Sequence, residues 1–183
     1  MIDMIFMQTY TGKKVYLQNP SVDDIDIEDI AHGLAHTCRF AGQCSEYYSV
    51  AEHSVNVAVA IQNRDIEFEA LMHDATEAYI HDITSPLKSI LPEYKRIEIR
   101  LNEVIMQKFN LSSQYREEIK DVDLRMLATE RDAVFKNRVL WGKYMDKIKP
   151  YENMSFKFYS PKKAKAKFLK VFYRLQETRN NET

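Results

Sequence analysis

The chain is predicted to be all-α, and three observations carry that expectation. Glycine is scarce, with four in 183 residues. Apolar residues recur at three- and four-residue spacing along most of the length. No repeat, linker or low-complexity stretch interrupts them. One domain spanning residues 1–183 is expected, long enough to bury a core without staples.

The elements follow in order. Tyr10-Thr11-Gly12-Lys13-Lys14-Val15-Tyr16 alternates large side chains around a glycine, a pattern compatible with a small N-terminal β-hairpin. Asp26 suits an N-cap for a helix carrying Ile27, Ile30, Ala31 and Leu34 on one face. Ser49-Val50-Ala51-Glu52 fits a capping box, so a second helix begins there, runs through Val55, Val57, Val59 and Ile61, and points His53 inward. A third helix is expected from Ile66 to about Ile80, with His73 and Asp74 near its middle. Asp82 to Pro92 reads as loop because of two prolines and a Ser/Thr cluster. A long helix from about Glu93 to Phe109 presents Ile97, Leu101, Val104, Ile105 and Phe109, and another from about Ser113 to Asn137 carries Asp123. Trp141 to Tyr159 is irregular. Ser160-Pro161 opens the last helix, serine as N-cap and proline at its first position, which docks Ala164, Phe168, Val171, Phe172 and Leu175.

Composition excludes little but bounds the class. An apolar content of 45%, a charged content of 29% and a net charge of −1 are ordinary for a soluble chain and offer no long-range attraction for nucleic acid. No signal pattern and no membrane-spanning apolar run is seen, so no nucleic-acid or membrane partner is expected. Cys38 and Cys44 are spaced neither as a zinc knuckle nor as a disulfide framework; two reduced thiols in a cytoplasmic protein are the plain reading.

The chemistry concentrates in His53, the adjacent pair His73-Asp74, and Asp123. Together they can supply four ligands to one metal ion, from three predicted helices, with positions left open for water and substrate. Imidazole and carboxylate suit zinc, manganese, iron, cobalt or nickel without choosing among them. The competing reading is four ordinary side chains, since a lone histidine on an apolar face is more often satisfied core. Against it, burying an unpaired His-Asp pair costs several kcal/mol, as an order of magnitude. The residues alone leave both readings open. Glu77, three positions after Asp74, falls one helical turn on, where a general acid would sit.

These residues lie in a longer pattern that resembles the HD-domain metal-dependent phosphohydrolases. The resemblance runs from Ile27-Glu28-Asp29-Ile30-Ala31-His32 through Cys38-Arg39-Phe40 and Glu52-His53-Ser54. It continues through Leu71-Met72-His73-Asp74-Ala75-Thr76-Glu77-Ala78-Tyr79-Ile80 and Asp82-Ile83-Thr84-Ser85-Pro86-Leu87-Lys88 to Asp123-Leu124-Arg125-Met126-Leu127-Ala128-Thr129-Glu130. The branch is similar to small bacterial and phage 5′-deoxynucleotidase-like proteins, which include phage dATP triphosphohydrolases. It implies an HD-domain helical bundle with His53, His73, Asp74 and Asp123 on one divalent transition metal, Glu77 as catalytic glutamate and Arg39 on the substrate phosphate. It further implies Asp82 beside the sugar, disfavouring a 2′-hydroxyl and counted with the catalytic residues, and Thr84 and Lys88 in a loop within reach of phosphate.

The activity implied is hydrolysis of a 2′-deoxynucleotide. The first choice is a dNTP such as dATP, giving deoxynucleoside and triphosphate, with magnesium accompanying the triphosphate. A 5′-deoxynucleotidase on dNMPs and a nucleotide-binding module without turnover are the alternatives. A homo-oligomer, dimer or hexamer, in the cytosol of a bacterium or phage-infected host is the further implication.

Several residues carry a competing structural reading. Arg39 could instead pair with Glu46 or Glu52, Asp82 could be a turn residue, and Lys88 could be a solvated lysine. Phe40 and the pair Tyr47-Tyr48 could stack on a base or belong to the core. His32 and His36, four apart, are read as a packing residue and a pocket-lining residue. Two departures from the branch pattern stand out: Gln43 where relatives have histidine, and His81 where they commonly have glycine before the aspartate.

Overall fold

The computed structural model describes residues 5–137 and 139–182, and over them the chain is all-α apart from one short hairpin. β1 (Met7–Gln8) and β2 (Lys14–Val15) pair antiparallel, with Met7 opposite Val15 and Gln8 opposite Lys14. The ladder therefore begins before Tyr10, and residues 9–13 are its turn, closed by Thr9 and Lys13 and by Gly12 at φ +90. Asp29 anchors that turn to the first helix by accepting from Thr11 N–H at 2.7 Å and Thr11 Oγ1 at 2.8 Å.

Helix α1 (Ile27–His36) starts where expected, because Asp26 accepts from Glu28 N–H and orders the first turn. α2 (Val50–Ala60) starts at Ser49, whose side chain accepts from Glu52 N–H. The reciprocal half of the capping box is absent: Glu52 turns instead to the backbone N–H groups of Lys157, Phe158 and Tyr159, at 2.7, 3.1 and 2.8 Å. Along α2, Val57 is buried but Val59 is 67% exposed, since a two-residue spacing swings a side chain to the opposite side of a helix.

The expected helix from Ile66 to Ile80 is broken. α3 (Glu67–Met72) ends at the histidine, a run of turns covers residues 73–76, and α4 (Glu77–Ile80) resumes beyond it. His73 Nδ1 donates to Ala70 O at 2.8 Å, and the following bonds reach back three residues: Ala75 to Met72 and Glu77 to Asp74. This tighter winding puts residues three apart on the same side, so Asp74 and Glu77 stay aligned despite the break.

The loop expected over Asp82–Pro92 contains a further helical turn, α5 (Ser85–Lys88), which tolerates Pro86 because its first N–H groups need no intrahelical partner. α6 (Pro92–Phe109) closes on Asn110 in the left-handed region (φ 50). α7 (Arg116–Val134) is shorter at both ends than expected. The segment between α7 and α8 (Pro161–Glu182) holds only a 3₁₀ turn at Met145–Lys147 among its described residues. Along that segment Phe156 and Phe158 pack on Tyr48, while Trp141 packs on Phe40 and Phe135.

α2 occupies the middle, touching α1, α3, α7 and α8, and α8 also covers α1. Ile30, Leu34, Val57, Leu71, Leu101, Ile105, Met126, Phe168 and Phe172 fill the core. α1 and α4 approach closely at Gly33, where an added Cβ would lie 2.5 Å from Ala78 O and 2.8 Å from Ala78 Cα. The obstruction is backbone, so Gly33→Ala is expected to cost about 2 kcal/mol or more by pushing α4 outward. Urea unfolding checks it; an unchanged midpoint would mean that the two helices part freely.

Candidate metal centre

Three segments bring the centre together. His53 lies in the first turn of α2 and is fully buried. His73 and Asp74 lie on the turns after α3, and Asp123 lies in α7. His53 Nδ1 bonds Glu130 Oε1 at 2.6 Å, and His73 Nδ1 donates to Ala70 O. Each ring thereby presents Nε2, unprotonated in the neutral tautomer, to the same point.

His53, His73 and Asp123 each offer one ligand atom, and these atoms lie within 4.8 Å of one another. His53 Nε2 stands 3.1 Å from Asp123 Oδ1 and 3.3 Å from His73 Nε2. Asp74 Oδ2 stands 3.2 Å from His73 Nε2 and 3.4 Å from His53 Nε2. Donors about 2.1 Å from one ion in a tetrahedral arrangement stand about 3.4 Å apart, so this spacing fits. The donor chemistry fits too, because two imidazole nitrogens facing each other at 3.3 Å need a cation or protons between them. The cluster can hold a metal ion.

Without the ion, protons fill that need. Burial and Arg39 push His53 down, yet Glu130 and Asp123 outweigh them and leave it above 6.5. Burial also lowers His73, but Asp74 and Asp123 carry it well above 6.5. Burial favours the neutral acid at Asp74 and Asp123, but the facing imidazoles hold Asp74 at about 2 and Asp123 lower still.

The signs combine into a pH prediction. The depressed carboxylates stabilise the metal-free fold above 3.8 and lose that contribution as pH falls. The raised imidazoles stabilise it below 6.5 and lose that contribution as pH rises through their folded values. The metal-free protein is therefore expected to melt highest between 3.8 and 6.5 and lower at about pH 8.5. Zinc should invert the order, because it needs deprotonated imidazoles. Melting scans with and without zinc test this, and a flat metal-free profile would contradict it.

Around the cluster stand Arg39, Glu77, Asp82 and Glu130. Arg39 is buried just before the 3₁₀ turn Phe40–Gly42. Its Nε and Nη2 both reach Glu130 Oε2 at 3.1 Å, and Nη1 lies 3.6 Å from Asp74 Oδ2. Its partners are thus Glu130 and Asp74, not Glu46 or Glu52. Glu77 is buried, and its Oε2 has no protein hydrogen-bond partner. Burial first, then the Asp74 and Asp82 carboxylates, raise Glu77 well above 4.5 against Arg39 and Lys88. Asp82 is raised by burial and by Asp74, against Arg39, His53 and a bond from the Phe40 backbone N–H.

The residue before Asp82 is held unusually. His81 adopts φ 65, ψ 160, a region otherwise left to glycine, and its carbonyl accepts from Tyr94 Oη at 2.9 Å. His81 holds that conformation under strain.

The remaining candidates fall as follows. Lys88 is not free in solvent: its Nζ pairs with Glu98 at 2.7 Å. Thr84 precedes α5 without capping it through its side chain. Phe40, itself at φ 55, packs on Phe135 and Trp141 and under the Arg39 guanidinium. His36 is exposed and joins a stack with His32 and Tyr10, its Nδ1 donating to His32 O. Tyr48 is core, and Tyr47 bonds Ala35 O. Gln43 is exposed, and Cys38 and Cys44 are free thiols, that of Cys44 pushed up to about 12 by burial and by Cys38.

Sequence reasoning missed Glu130. This fully buried carboxylate, held below its ordinary value by Arg39 and His53 despite burial, also accepts from Tyr48 Oη at 2.7 Å. It closes the resembled run that starts at Asp123 and lies two helical turns on along the same face of α7, yet the resemblance gives it no role there. Among the described residues no helix is long and apolar enough to cross a membrane.

No family model matches the chain. It is 48% identical over 128 residues to the uncharacterized protein YfdR of Escherichia coli, covering 70% of this chain and 71% of that protein. It is 39% identical over 110 residues to an uncharacterized protein of Rhodobacter capsulatus, covering 55% and 56%.

Proposed function

This chain belongs to the family of Escherichia coli YfdR, and we propose that it is a metal-dependent phosphoric ester hydrolase of the HD-domain type, acting on 2′-deoxynucleotides. One observation carries the reading: two imidazoles and two carboxylates converge at metal-ligand spacing beside a buried arginine, with a buried carboxyl of raised pKa close by. A structural ion-pair cluster would not need an orphaned Glu77 oxygen within it.

His53, His73, Asp123 and Asp74 would hold the ion, which is zinc, manganese, cobalt, iron or nickel. It would supply polarisation of a phosphoryl oxygen and a more acidic water at this site. Arg39 spends its Nε edge on Glu130 and keeps Nη1 for a phosphate oxygen. As water adds to the α-phosphorus and the bond from phosphorus to the 5′-oxygen breaks, Glu77, whose carboxyl is raised well above 4.5 by burial and by Asp74 and Asp82, gives its proton to that oxygen. Asp82 faces the sugar, Phe40 offers a ring to the base, and Thr84 with Lys88 lies on the phosphate side once Lys88 exchanges Glu98 for substrate. His36, read as lining the pocket, stacks on His32, which in turn stacks on Tyr10.

The preferred substrate is a purine dNTP such as dATP, cut to deoxynucleoside and triphosphate with magnesium on the triphosphate. The protein works as a cytoplasmic homo-oligomer. Product analysis across dNTPs, dNMPs and their ribo counterparts with manganese, cobalt or zinc is the test. Triphosphate from dATP is expected; orthophosphate from dNMPs would reassign the protein as a 5′-deoxynucleotidase, and no turnover with metal bound would leave a binding role. Glu77→Gln is expected to lower kcat about a hundredfold or more and to leave metal uptake intact; full turnover in that variant would remove Glu77 as the acid.

A further inference from the structure

Glu130 lies between the two halves of the site. Its Oε1 receives His53 Nδ1 at 2.6 Å and Tyr48 Oη at 2.7 Å, and its Oε2 receives Arg39 Nε and Nη2, both at 3.1 Å. It is 0% exposed, so no water competes for either oxygen. Tyr48 is fixed in turn by Asn56, whose Nδ2 donates to Tyr48 Oη at 3.1 Å, and by the rings of Phe156 and Phe158. Glu130 is thus clamped from three directions and cannot turn to follow a moving partner.

We propose that Glu130 is a positioning residue that ties the metal centre to the arginine facing it. On the His53 side, a carboxylate can only accept, so the ring proton is fixed on Nδ1 and Nε2 is aimed at the ligand cluster. On the Arg39 side, both contacts use one edge of the guanidinium, and Nη1 is left pointing at Asp74 and the space around the ion. A counter-ion for Arg39 alone would have no need of the imidazole, and a partner for His53 alone would have no need of the guanidinium. One rigid side chain sets both, so the ion and an anion held by Arg39 keep a fixed spacing. This rests on the metal-site reading above but not on the substrate.

The test compares wild type with Glu130→Gln, an isosteric change whose amide nitrogen must face a donor. Zinc affinity by chelator competition is expected to fall 10- to 100-fold. Inorganic phosphate is expected to bind the zinc-saturated variant at least about tenfold more weakly. A lowered melting temperature with both constants unchanged would overturn the proposal, because a merely structural carboxylate affects only the fold.

If the variant does not fold, ¹⁵N-histidine spectra of the zinc-loaded wild type decide. His53 protonated at Nδ1 and ligating through Nε2 supports the proposal; zinc on Nδ1 overturns it. None of these readouts needs turnover. A protein that behaves so yet hydrolyses no deoxynucleotide would refute the proposed activity and leave Glu130's role standing. A wild type that takes up no zinc would overturn both.

Discussion

Asp123→Ala is expected to abolish the proposed metal-dependent hydrolysis, with a loss of about a thousandfold or more in kcat/KM, because it removes one of the charges that would hold the ion in place. Asp123 stands 3.1 Å from His53 Nε2 and 3.8 Å from His73 Nε2, and no neighbouring carboxylate on α7 replaces it. Asp74 cannot compensate, since it already stands against both imidazoles and Arg39. The loss should appear first in zinc uptake and then in turnover. The variant should still fold, because Asp123 is partly exposed and pairs with the imidazoles of the centre rather than with the apolar core. Its fold is nonetheless expected to lose part of the acid-side stabilisation that the depressed carboxylate supplies above 3.8. Wild-type zinc affinity in Asp123→Ala would remove this residue from the ligand set and leave His53, His73 and Asp74 to account for the site.

The largest effect on stability is expected at Glu52→Ala. The Glu52 carboxylate is 3% exposed and accepts three successive backbone N–H groups, those of Lys157, Phe158 and Tyr159. Hydrogen bonds to a charged acceptor contribute about 1.5–3 kcal/mol each, and losses at one acceptor are not additive, so about 3–5 kcal/mol is the expected cost. For a chain of this size that is a fall of about 10 °C or more in Tm. The cradle of N–H groups exists only because Phe158 adopts φ 49, a conformation that costs a bulky residue about 1 kcal/mol or more and persists while the carboxylate is there to reward it. Loss of Glu52 therefore frees residues 157–159 and uncovers Tyr48, the partner of Glu130. Thermal unfolding decides the matter: a cost under about 1 kcal/mol would mean that α8 and the Phe156 and Phe158 rings hold the segment unaided.

Both predictions turn on residues whose sequence signals differed in kind. His73 and Asp74 were legible because an adjacent His-Asp pair in an apolar run is costly to bury unpaired; His53 and Asp123 were picked only as completing a possible four-ligand set, and the structure brings all four side chains close. Glu52 was legible only as half of a capping box. Ser49 makes its half of that bond, while the Glu52 side chain takes a stronger offer from three N–H groups more than a hundred residues away. The break at residues 73–76 gave little warning because neither glycine nor proline marks it and the apolar spacing carries on across it. What ends α3 is the His73 ring taking the Ala70 carbonyl. A helical turn over Ser85–Lys88 was hidden by Pro86, which excludes a helix interior but not a helix start.

The sequence by itself determined the helical class, the N-caps at Asp26 and Ser49 and the short hairpin, and it singled out His53, His73 and Asp123 among the candidates for a metal. Those properties depend on neighbours within about four positions along the chain, where spacing and side-chain chemistry suffice. Only the tertiary structure decided which carboxylate faces which imidazole, that Arg39 answers to Glu130, that His81 sits where glycine fits better, and that Glu52 clamps the segment before α8. Those pairings join residues far apart in sequence, and they form because each buried polar group must find a partner in a space from which water is excluded.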